Sequence, residues 1–201
     1  FNISRAVKEM CRSNVSAIHI EDQVDQKRCG HRPNKEMVSE FEMIDRIKTC
    51  VDSKENDDFF IIARTDAFAS EGIQKSIDRV SAYIEAGADA IFAEAMTDIN
   101  QYKIIKDQIN VPILANMTEF GKTPLYTIKE LESVGVDMIL YPLSAFRAMN
   151  NAALAVYKNI LDKGHQKNSI NDMQTREELY EFLDYHSYEE KLDNLFKKNR
   201  K

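Results

Sequence analysis

The residues with the clearest chemical potential form the short segment KRCGH, at positions 27–31. Cys29 lies among Lys27, Arg28 and His31, and nearby positive charge favours a thiolate, which can act as a nucleophile or as a proton-transfer group. We therefore take Cys29 as a candidate catalytic residue, with Lys27 and His31 as the residues that adjust its acidity. The alternative is an unreactive cysteine in a polar loop.

The other two cysteines, Cys11 and Cys50, fall in helical patterns, where a free cysteine behaves as a small apolar residue. Three cysteines in 201 residues are an odd and sparse set, which does not indicate the disulfide framework of a secreted domain. We therefore expect reduced thiols and a cytoplasmic protein.

Five short apolar runs rich in β-branched residues predict strands at 17–20, 59–63, 90–92, 112–115 and 138–141. Helical patterns lie between them, at 41–51, 73–86, 99–109 and 127–134. Apolar strands that alternate with helices are typical of a parallel sheet covered by helices, so the predicted fold class is α/β. An open wound sheet and a closed barrel both fit this pattern.

Polar residues follow nearly every predicted strand, and α/β proteins bind ligands where the carboxyl ends of parallel strands meet. We expect ten residues to converge there: His19, Glu21, Asp22, Arg64, Asp66, Glu94, Asn116, Thr118, Glu119 and Arg147. Glu21 and Glu94 offer oxygen atoms suited to magnesium or to a magnesium-bound water. The arginines suit a substrate with several carboxylates. The alternative for these acids and arginines is that they form salt bridges with one another.

The composition argues against several classes of partner. A net charge of −6 and a pI of about 5.3 do not provide the basic surface that nucleic acid requires. No apolar run approaches the roughly 20 residues needed to cross a bilayer. The sequence also lacks a phosphate-binding glycine loop and the CxxC and HExxH metal motifs. We expect a small-molecule substrate, and neither nucleic acid nor a membrane as partner.

The chain is predicted to have two parts, an α/β part at 1–164 and a helical arm at 165–201. From about His165 the periodicity is only helical, and Thr175 with Glu178 predicts a capping box at the start of one helix. The last five residues, KKNRK, form a basic end that is expected to fray.

Four motifs resemble the isocitrate lyase and phosphoenolpyruvate mutase superfamily: HIEDQ at 19–23, KRCGHRPNK at 27–35, ARTDA at 63–67 and NMTEFG at 116–121. Two more are similar to superfamily members that split 2-methylisocitrate into pyruvate and succinate in the methylcitrate cycle: YPLSAFRAMN at 141–150 and MQTREELYE at 173–181. The resemblance covers essentially the whole chain. It implies a magnesium-dependent (β/α)₈ TIM barrel of which this chain contains strands four to eight, while about the first third is absent.

The resemblance also implies roles for the residues that match these motifs. Cys29 would be the catalytic acid or base, and Lys27 and His31 would act beside it. Substrate binding is implied for nine residues: Cys29, Gly30, Arg64, Glu94, Asn116, Met117, Thr118, Arg147 and Arg176. Glu21 would belong to the Mg²⁺ shell next to His19, and its aspartate partners would be absent from this chain. The substrate would be a small tricarboxylate.

Further implications concern assembly and motion. The superfamily resemblance implies a homotetramer in which the helical arm packs on a neighbouring copy. The charged segment from Val24 to Ser39 contains Gly30 and Pro33, and we expect it to close over the substrate. Five strands cannot close an eight-stranded barrel, so the chain alone would expose sheet edges.

Other functions remain open at the level of sequence. One is a classical isocitrate lyase, another is a phosphonomutase or an oxaloacetate decarboxylase of the same superfamily, and a third is an inactive truncated fragment. The KRCGH segment favours a lyase. One buried methyl group is worth only about 1–3 kcal/mol, and the sequence does not reveal the pocket wall that would distinguish 2-methylisocitrate from isocitrate.

Overall fold

The computed structural model describes residues 1–197, and the chain divides into two compact units, Phe1–Ser144 and a second that begins at Ala145. The first unit contains a five-stranded parallel sheet with strands β1 (Ala17–Glu21), β2 (Phe60–Thr65), β3 (Ala90–Ala93), β4 (Ile113–Asn116) and β5 (Met138–Leu140). All five predicted strands are present, with ends within two residues of the predicted ones.

The strands pair in chain order, each parallel to the next, so the sheet order is β1-β2-β3-β4-β5. An open doubly wound sheet reverses its strand order at a switch point, whereas the wall of a barrel does not. The order is therefore that of a barrel wall. Among the described residues, β1 and β5 each pair on one side only.

Five helices of the first unit cover one face of this sheet or connect its strands: α1 (Asn2–Arg12), α2 (Glu40–Ser53), α3 (Phe68–Glu85), α4 (Asn100–Lys106) and α5 (Ile128–Ser133). Ser39 caps α2 by accepting the N–H of Glu42. Thr127 and Glu130 form the predicted capping box of α5. The pattern predicted α3 from residue 73, which is the residue after a kink at Gly72, where φ is 81°.

The core lies between the sheet and the helices. Met43 and Ile47 of α2, Val80 of α3 and Ile91 of β3 are fully buried there, and burial of each such side chain contributes about 1.5–3 kcal/mol. Cys50 is buried too, and burial raises the pKa of its thiol to about 11, which agrees with an apolar role.

The opposite face of the sheet carries a second apolar cluster around Ile62 and Phe92. Because side chains alternate along a strand, Arg64 lies on the same face of β2 as Ile62. Its guanidinium carbon lies 4.7 Å from the centroid of the Phe92 ring, a cation–π contact. The ring of His19 on β1 meets Phe92 edge-on, at 5.6 Å between centroids.

The second unit is entirely helical within the described residues. Helix α6 (Ser144–Lys163) begins at the last residue of the first unit and is followed by a 3₁₀ helix (Lys167–Asp172), α7 (Arg176–Leu183) and α8 (Tyr185–Lys197). The predicted capping box of Thr175 and Glu178 is present at the start of α7. Large apolar side chains of this unit are exposed, among them Leu161 and Phe182 at 84% and 81%.

The boundary between the two compact units lies between residues 144 and 145 of the chain. The sequence pattern predicted a different division, with a barrel part at 1–164 and a helical arm at 165–201. That functional division stays a prediction. Of the basic end KKNRK, the last four residues lie outside the described part of the chain. No helix within residues 1–197 combines the length and the apolar character needed to cross a membrane.

Candidate active site

Arg64, at the carboxyl end of β2, is the centre of a buried polar cluster. Its Nε atom lies 2.9 Å from Oδ2 of Asp66 and 3.3 Å from Oε2 of Glu21, and its Nη2 atom lies 3.4 Å from Oε2 of Glu94. The ends of β1, β2 and β3 thus meet here, as the strand pattern predicted. The salt bridges described as the alternative for Glu21 and Glu94 are present, both to Arg64.

The side chains of this cluster are almost inaccessible to solvent. The side chains of Asp66 and Glu94 are 0% and 1% exposed, and that of Arg64 is 10% exposed. Burial alone would raise the pKa of Asp66, but the hydrogen bond and charge of Arg64 and the charge of Lys35 hold this pKa below its ordinary value. Burial opposes the charge of Arg64, whereas Asp66, Glu94 and Glu21 raise its pKa. Arg64 is therefore a fixed cation surrounded by three acids.

Asp22 supports this cluster from the core. It is fully buried, and its Oδ2 accepts hydrogen bonds from the hydroxyls of Thr65 and Tyr83, at 2.7 and 2.9 Å. Its Oδ1 accepts the backbone N–H of Asp66, at 2.9 Å. Burial raises the pKa of Asp22, and these hydrogen bonds oppose the rise. Asp22 thus holds the turn that presents Asp66 to Arg64.

The segment 24–37 forms a loop whose two ends are joined by main-chain hydrogen bonds. The N–H of Val24 donates to the carbonyl of Glu36, at 3.1 Å, and the N–H of Val38 donates to the carbonyl of Asp22, at 2.9 Å. We call this segment the cysteine loop. It contains Cys29 and leaves the sheet directly after β1.

Gly30 brings the cysteine loop against the buried cluster. A Cβ atom at this position would lie 2.5 Å from Cγ of Glu94, 2.6 Å from Oδ1 of Asp66 and 2.7 Å from Nη2 of Arg64. No side chain larger than hydrogen fits there without a shift of these groups. The loop therefore lies directly over Arg64, and Gly30 is where the resemblance implied a substrate contact.

His31 joins the cysteine loop to two other parts of the site. Its Nδ1 atom accepts the backbone N–H of Lys122, at 2.9 Å, so in a neutral ring the proton is on Nε2. Nε2 lies 2.8 Å from Oε1 of Glu94. His31 also fills the space beside Gly121, where a Cβ atom would lie 2.9 Å from the ring.

The surroundings of Cys29 differ from those expected. Cys29 is an exposed, free thiol, but the Lys27 ammonium lies 2.7 Å from Oε1 of Glu21, and His31 lies against Glu94. Two of the three residues expected to favour the thiolate are thus already paired with carboxylates. The order of residues in the sequence gave no information about these pairings. The pairings weaken the electrostatic reason for the reactivity of Cys29, but Cys29 still lies beside the site.

The end of β4 adds an amide to the cluster. The Asn116 amide nitrogen lies 3.3 Å from Oε2 of Glu94, while the buried Asn116 Oδ1 has no hydrogen-bond partner among the described residues. Met117 and Thr118 follow, 2% and 7% exposed, and Glu119 accepts a hydrogen bond from the hydroxyl of Ser144. An unpartnered buried acceptor is costly without a ligand, so Asn116 is a candidate contact for one.

The described residues do not fit a magnesium ion by themselves. Within residues 1–197 no group of three or more His, Cys, Asp or Glu side chains is arranged to hold a metal. Glu21, the predicted shell residue, is paired with Lys27 and Arg64. Magnesium takes six oxygen ligands, and one carboxylate that is already bonded to two cations does not supply them. Its role at the metal stays a prediction.

Two of the predicted substrate contacts belong to the second unit. Arg147 lies on α6 and Arg176 is the first residue of α7. Their roles in substrate binding stay predictions.

Sequence reasoning assigned no role to two buried residues of the cysteine-loop region. Gln23 is 2% exposed, and the side chain of Lys35 is 3% exposed. Both lie at the ends of motifs that were recognised, HIEDQ and KRCGHRPNK. A charged residue inside a polar loop is usually exposed, so nothing in the pattern signalled that Lys35 is buried.

Comparison with known proteins identifies the class. The sequence profile of the family described as Phosphoenolpyruvate phosphomutase matches residues 1–161, and the chain belongs to this family. Within it, the chain is similar to 2-methylisocitrate lyases. It is 55% identical over 200 residues to that of Shewanella oneidensis and 56% identical over 200 residues to that of Escherichia coli K12, and these matches cover 100% of this chain and 68% of each relative.

Solved structures confirm the fold. Oxaloacetate acetylhydrolase in complex with 3,3-difluorooxalacetate superposes with a TM-score of 0.85 at 30% identity, over 96% of this chain and 65% of that one. 2,3-Dimethylmalate lyase, a PEP mutase/isocitrate lyase superfamily member, gives 0.84 at 30%, over 96% and 64%. The chain therefore spans about two thirds of the length of these relatives. The predictions of a partial barrel of this type and of an enzyme of a lyase family are confirmed.

Proposed function

We propose that this chain carries the substrate-binding and proton-transfer groups of a lyase that cleaves 2-methylisocitrate into pyruvate and succinate. The relatives that are 55% and 56% identical in sequence to this chain are named 2-methylisocitrate lyase, and this supports the proposal. The observation that carries it is the contact of Gly30 and His31 with Glu94 and Arg64, because it puts the loop with Cys29 over the strand ends.

The first task of the site is to hold a small tricarboxylate. Arg64 has a planar fork of donors that can grip a carboxylate in two places. Asn116 adds an amide beside Glu94, with a free acceptor for a hydroxyl of the substrate. Asp66 and Glu94 hold the guanidinium of Arg64 through its Nε and Nη2 atoms before the substrate arrives, so its orientation is already set when negative charge develops.

The second task is to move two protons while one carbon–carbon bond breaks. A base removes the substrate hydroxyl proton, the oxygen becomes the keto group of pyruvate, and the bonding electron pair passes to the carbon of the succinate half. That carbon takes a proton from the Cys29 thiol, which leaves a thiolate to be reprotonated. The exposed thiol and its loop position suit a donor that approaches from the open side of the site.

Magnesium, a cytoplasmic location and a homotetramer also belong to the proposal. Magnesium and the homotetramer rest on the resemblance of the motifs, which implies that Glu21 belongs to the metal shell, and the cytoplasmic location rests on the few cysteines of the chain. No step is derived for the metal, since the described residues do not fit it alone. The exposed apolar side chains of the second unit agree with a covered surface in an oligomer; light scattering that gives a monomer of the full-length protein would overturn the tetramer.

The test is a magnesium-dependent assay of the full-length protein with 2-methylisocitrate and, separately, isocitrate, in which pyruvate and glyoxylate are measured. We expect pyruvate with a preference for the methyl substrate of about 10-fold or more, since one methyl group is worth about 1–3 kcal/mol. Glyoxylate from isocitrate as the main product would contradict the substrate assignment. No product with either substrate would favour the inactive alternative.

A further inference from the structure

The backbone on both sides of Cys29 is held by buried side chains. The amide of Gln23 makes two hydrogen bonds to Arg28: its Oε1 accepts the Arg28 N–H at 2.9 Å, and its Nε2 donates to the Arg28 carbonyl at 3.0 Å. Both main-chain polar groups of the residue before Cys29 are therefore satisfied by one side chain.

Lys35 holds the residue after Cys29. Its ammonium donates to the Gly30 carbonyl at 2.7 Å, and also to the carbonyl and Oδ1 of Asp66, at 3.2 and 3.1 Å. A buried ammonium is unfavourable unless such partners compensate for its lost hydration. Here the partners are the cysteine loop on one side and the residue that fixes Arg64 on the other.

Cys29 itself completes the arrangement. Its carbonyl accepts the N–H of Arg32, at 2.9 Å, which closes a turn. The backbone from residue 28 to residue 30 is thus held at three points, while the Cys29 side chain remains exposed. The thiol is accessible to a substrate, whereas the main chain that carries it is held in place.

We propose that Gln23 and Lys35 are positioning residues that fix the Cys29 thiol relative to Arg64, acting through the backbone of Arg28 and Gly30. The inference rests on the proposed role of Cys29 as proton donor. Neither residue needs to touch the substrate for this role.

A purely structural role for these side chains is less well supported by the contacts. The ends of the cysteine loop are already joined by the main-chain hydrogen bonds of Val24 and Val38, so the loop does not need Gln23 or Lys35 to close. Lys35 also joins the loop to Asp66, which holds Arg64. One ammonium therefore sets the distance between the proposed proton donor and the arginine that would bind the substrate.

The experiment compares Gln23→Met and Lys35→Met, which remove the polar contacts at similar side-chain volume, with Lys35→Arg, which keeps a cationic donor. The matched control is Lys106→Met. Lys106 makes the same two kinds of contact, to the Val111 carbonyl at 3.1 Å and to Asp137 Oδ2 at 2.8 Å, but at the amino end of the sheet. Steady-state kinetics, thermal unfolding and amide hydrogen exchange are measured on the full-length proteins.

We expect kcat to fall on the order of 10²-fold in both methionine variants, since a displacement of about 1 Å can have this effect, while KM changes less than about threefold. Exchange in a peptide covering 27–34 should accelerate, and exchange in β3 should not. Lys35→Arg should recover part of kcat, and Lys106→Met should keep the wild-type kcat.

Two results would overturn the inference. One is wild-type kcat and wild-type exchange in 27–34 for both methionine variants. The other is equal acceleration of exchange in 27–34 and in β3, because it would indicate general destabilisation. If the wild-type protein cleaves neither substrate, the proposed function fails, and the exchange measurement alone decides: selective acceleration in 27–34 supports the positioning role, and its absence overturns it.

Discussion

The two ends of the sheet use similar charged residues in different ways. At the amino end, Asp89 Oδ2 accepts the N–H of Ile61 at 2.8 Å, and Asp137 Oδ2 accepts the N–H of Ile113 at 2.9 Å. Asp137 also pairs with Lys106, and its side chain is 43% exposed. Each carboxylate there accepts one backbone N–H of a strand and remains partly exposed to solvent.

At the carboxyl end, the carboxylates are buried and share their cations. Asp66 binds both Arg64 and Lys35, and Glu94 lies against Arg64, His31 and Asn116. One buried acceptor there, Asn116 Oδ1, has no hydrogen-bond partner within residues 1–197. The comparison teaches that residue type does not separate a structural end of the sheet from the end proposed to bind substrate. Burial, shared counter-charges and an unsatisfied acceptor do.

The largest expected effect comes from Cys29→Ser, at the proposed binding end. A serine hydroxyl is far less acidic than a thiol, so kcat should fall roughly 10²–10⁴-fold, the usual contribution of a general acid. Stability should change by less than about 0.5 kcal/mol because the site is exposed. Pyruvate release and thermal unfolding measure both. Cys11→Ser is the matched control and should retain its activity; a Cys29→Ser protein with near wild-type turnover would remove Cys29 from the mechanism.

A smaller effect is expected from Arg64→Lys, which keeps the charge but loses the planar fork. Loss of one charge-assisted hydrogen bond, worth about 1.5–3 kcal/mol, should lower kcat/KM about 10- to 150-fold. Arg79→Lys is the comparison, because Arg79 grips Glu71 through two bonds of 2.8 and 2.7 Å behind the sheet. It should lose stability and keep kcat/KM within about threefold. Equal losses of kcat/KM in Arg64→Lys and Arg79→Lys would contradict a special role of Arg64 in substrate binding.

A third comparison separates the two ends by the pH and salt dependence of stability. Asp66 and Asp137 both have a pKa below the ordinary value of 3.8, in spite of burial, because Arg64 and Lys106 respectively stabilise their charged forms. A lowered pKa contributes stability above 3.8 that is lost as the pH falls through the folded-state value. Asp66→Asn should lose about 3–5 kcal/mol at neutral pH, and Asp137→Asn about 0–1 kcal/mol.

Urea unfolding between about pH 5 and pH 2 measures these contributions. In about 1 M salt the contribution of Asp137 should shrink, since the screening length is then about 3 Å, while that of Asp66 should remain because water does not reach it. The same salt dependence for both variants would mean that the two ends do not differ in the way described.

Sequence patterns predicted the frame of the site well, for a physical reason. Buried parallel strands are mostly apolar, so the apolar runs of β2 and β3 were easy to recognise. The polar residues at the carboxyl ends of these neighbouring strands, Arg64 and Glu94, were therefore expected to lie close together. The capping boxes at Thr127 and Thr175 were also visible, because a cap is formed by residues close in sequence.

The contacts of the cysteine loop could not be predicted in the same way. Lys35 reaches Asp66 and Gln23 reaches Arg28 only because of the path that the loop takes. The pairing of Lys27 with Glu21 of β1 could not be predicted for the same reason, and the effect of the surrounding charge on Cys29 stays a prediction. Loop contacts depend on long-range packing, and a single sequence contains no direct record of it.

The main-chain bonds that join the ends of the cysteine loop have a consequence for how such a protein can change over time. They fasten the segment 24–37 to the residues just after β1 without using any side chain. An insertion between these two bonds therefore leaves the register of the strands intact. It would instead move Gly30 and Lys35 away from Arg64 and Asp66, so the length of the segment, and not only its residues, sets where the thiol lies.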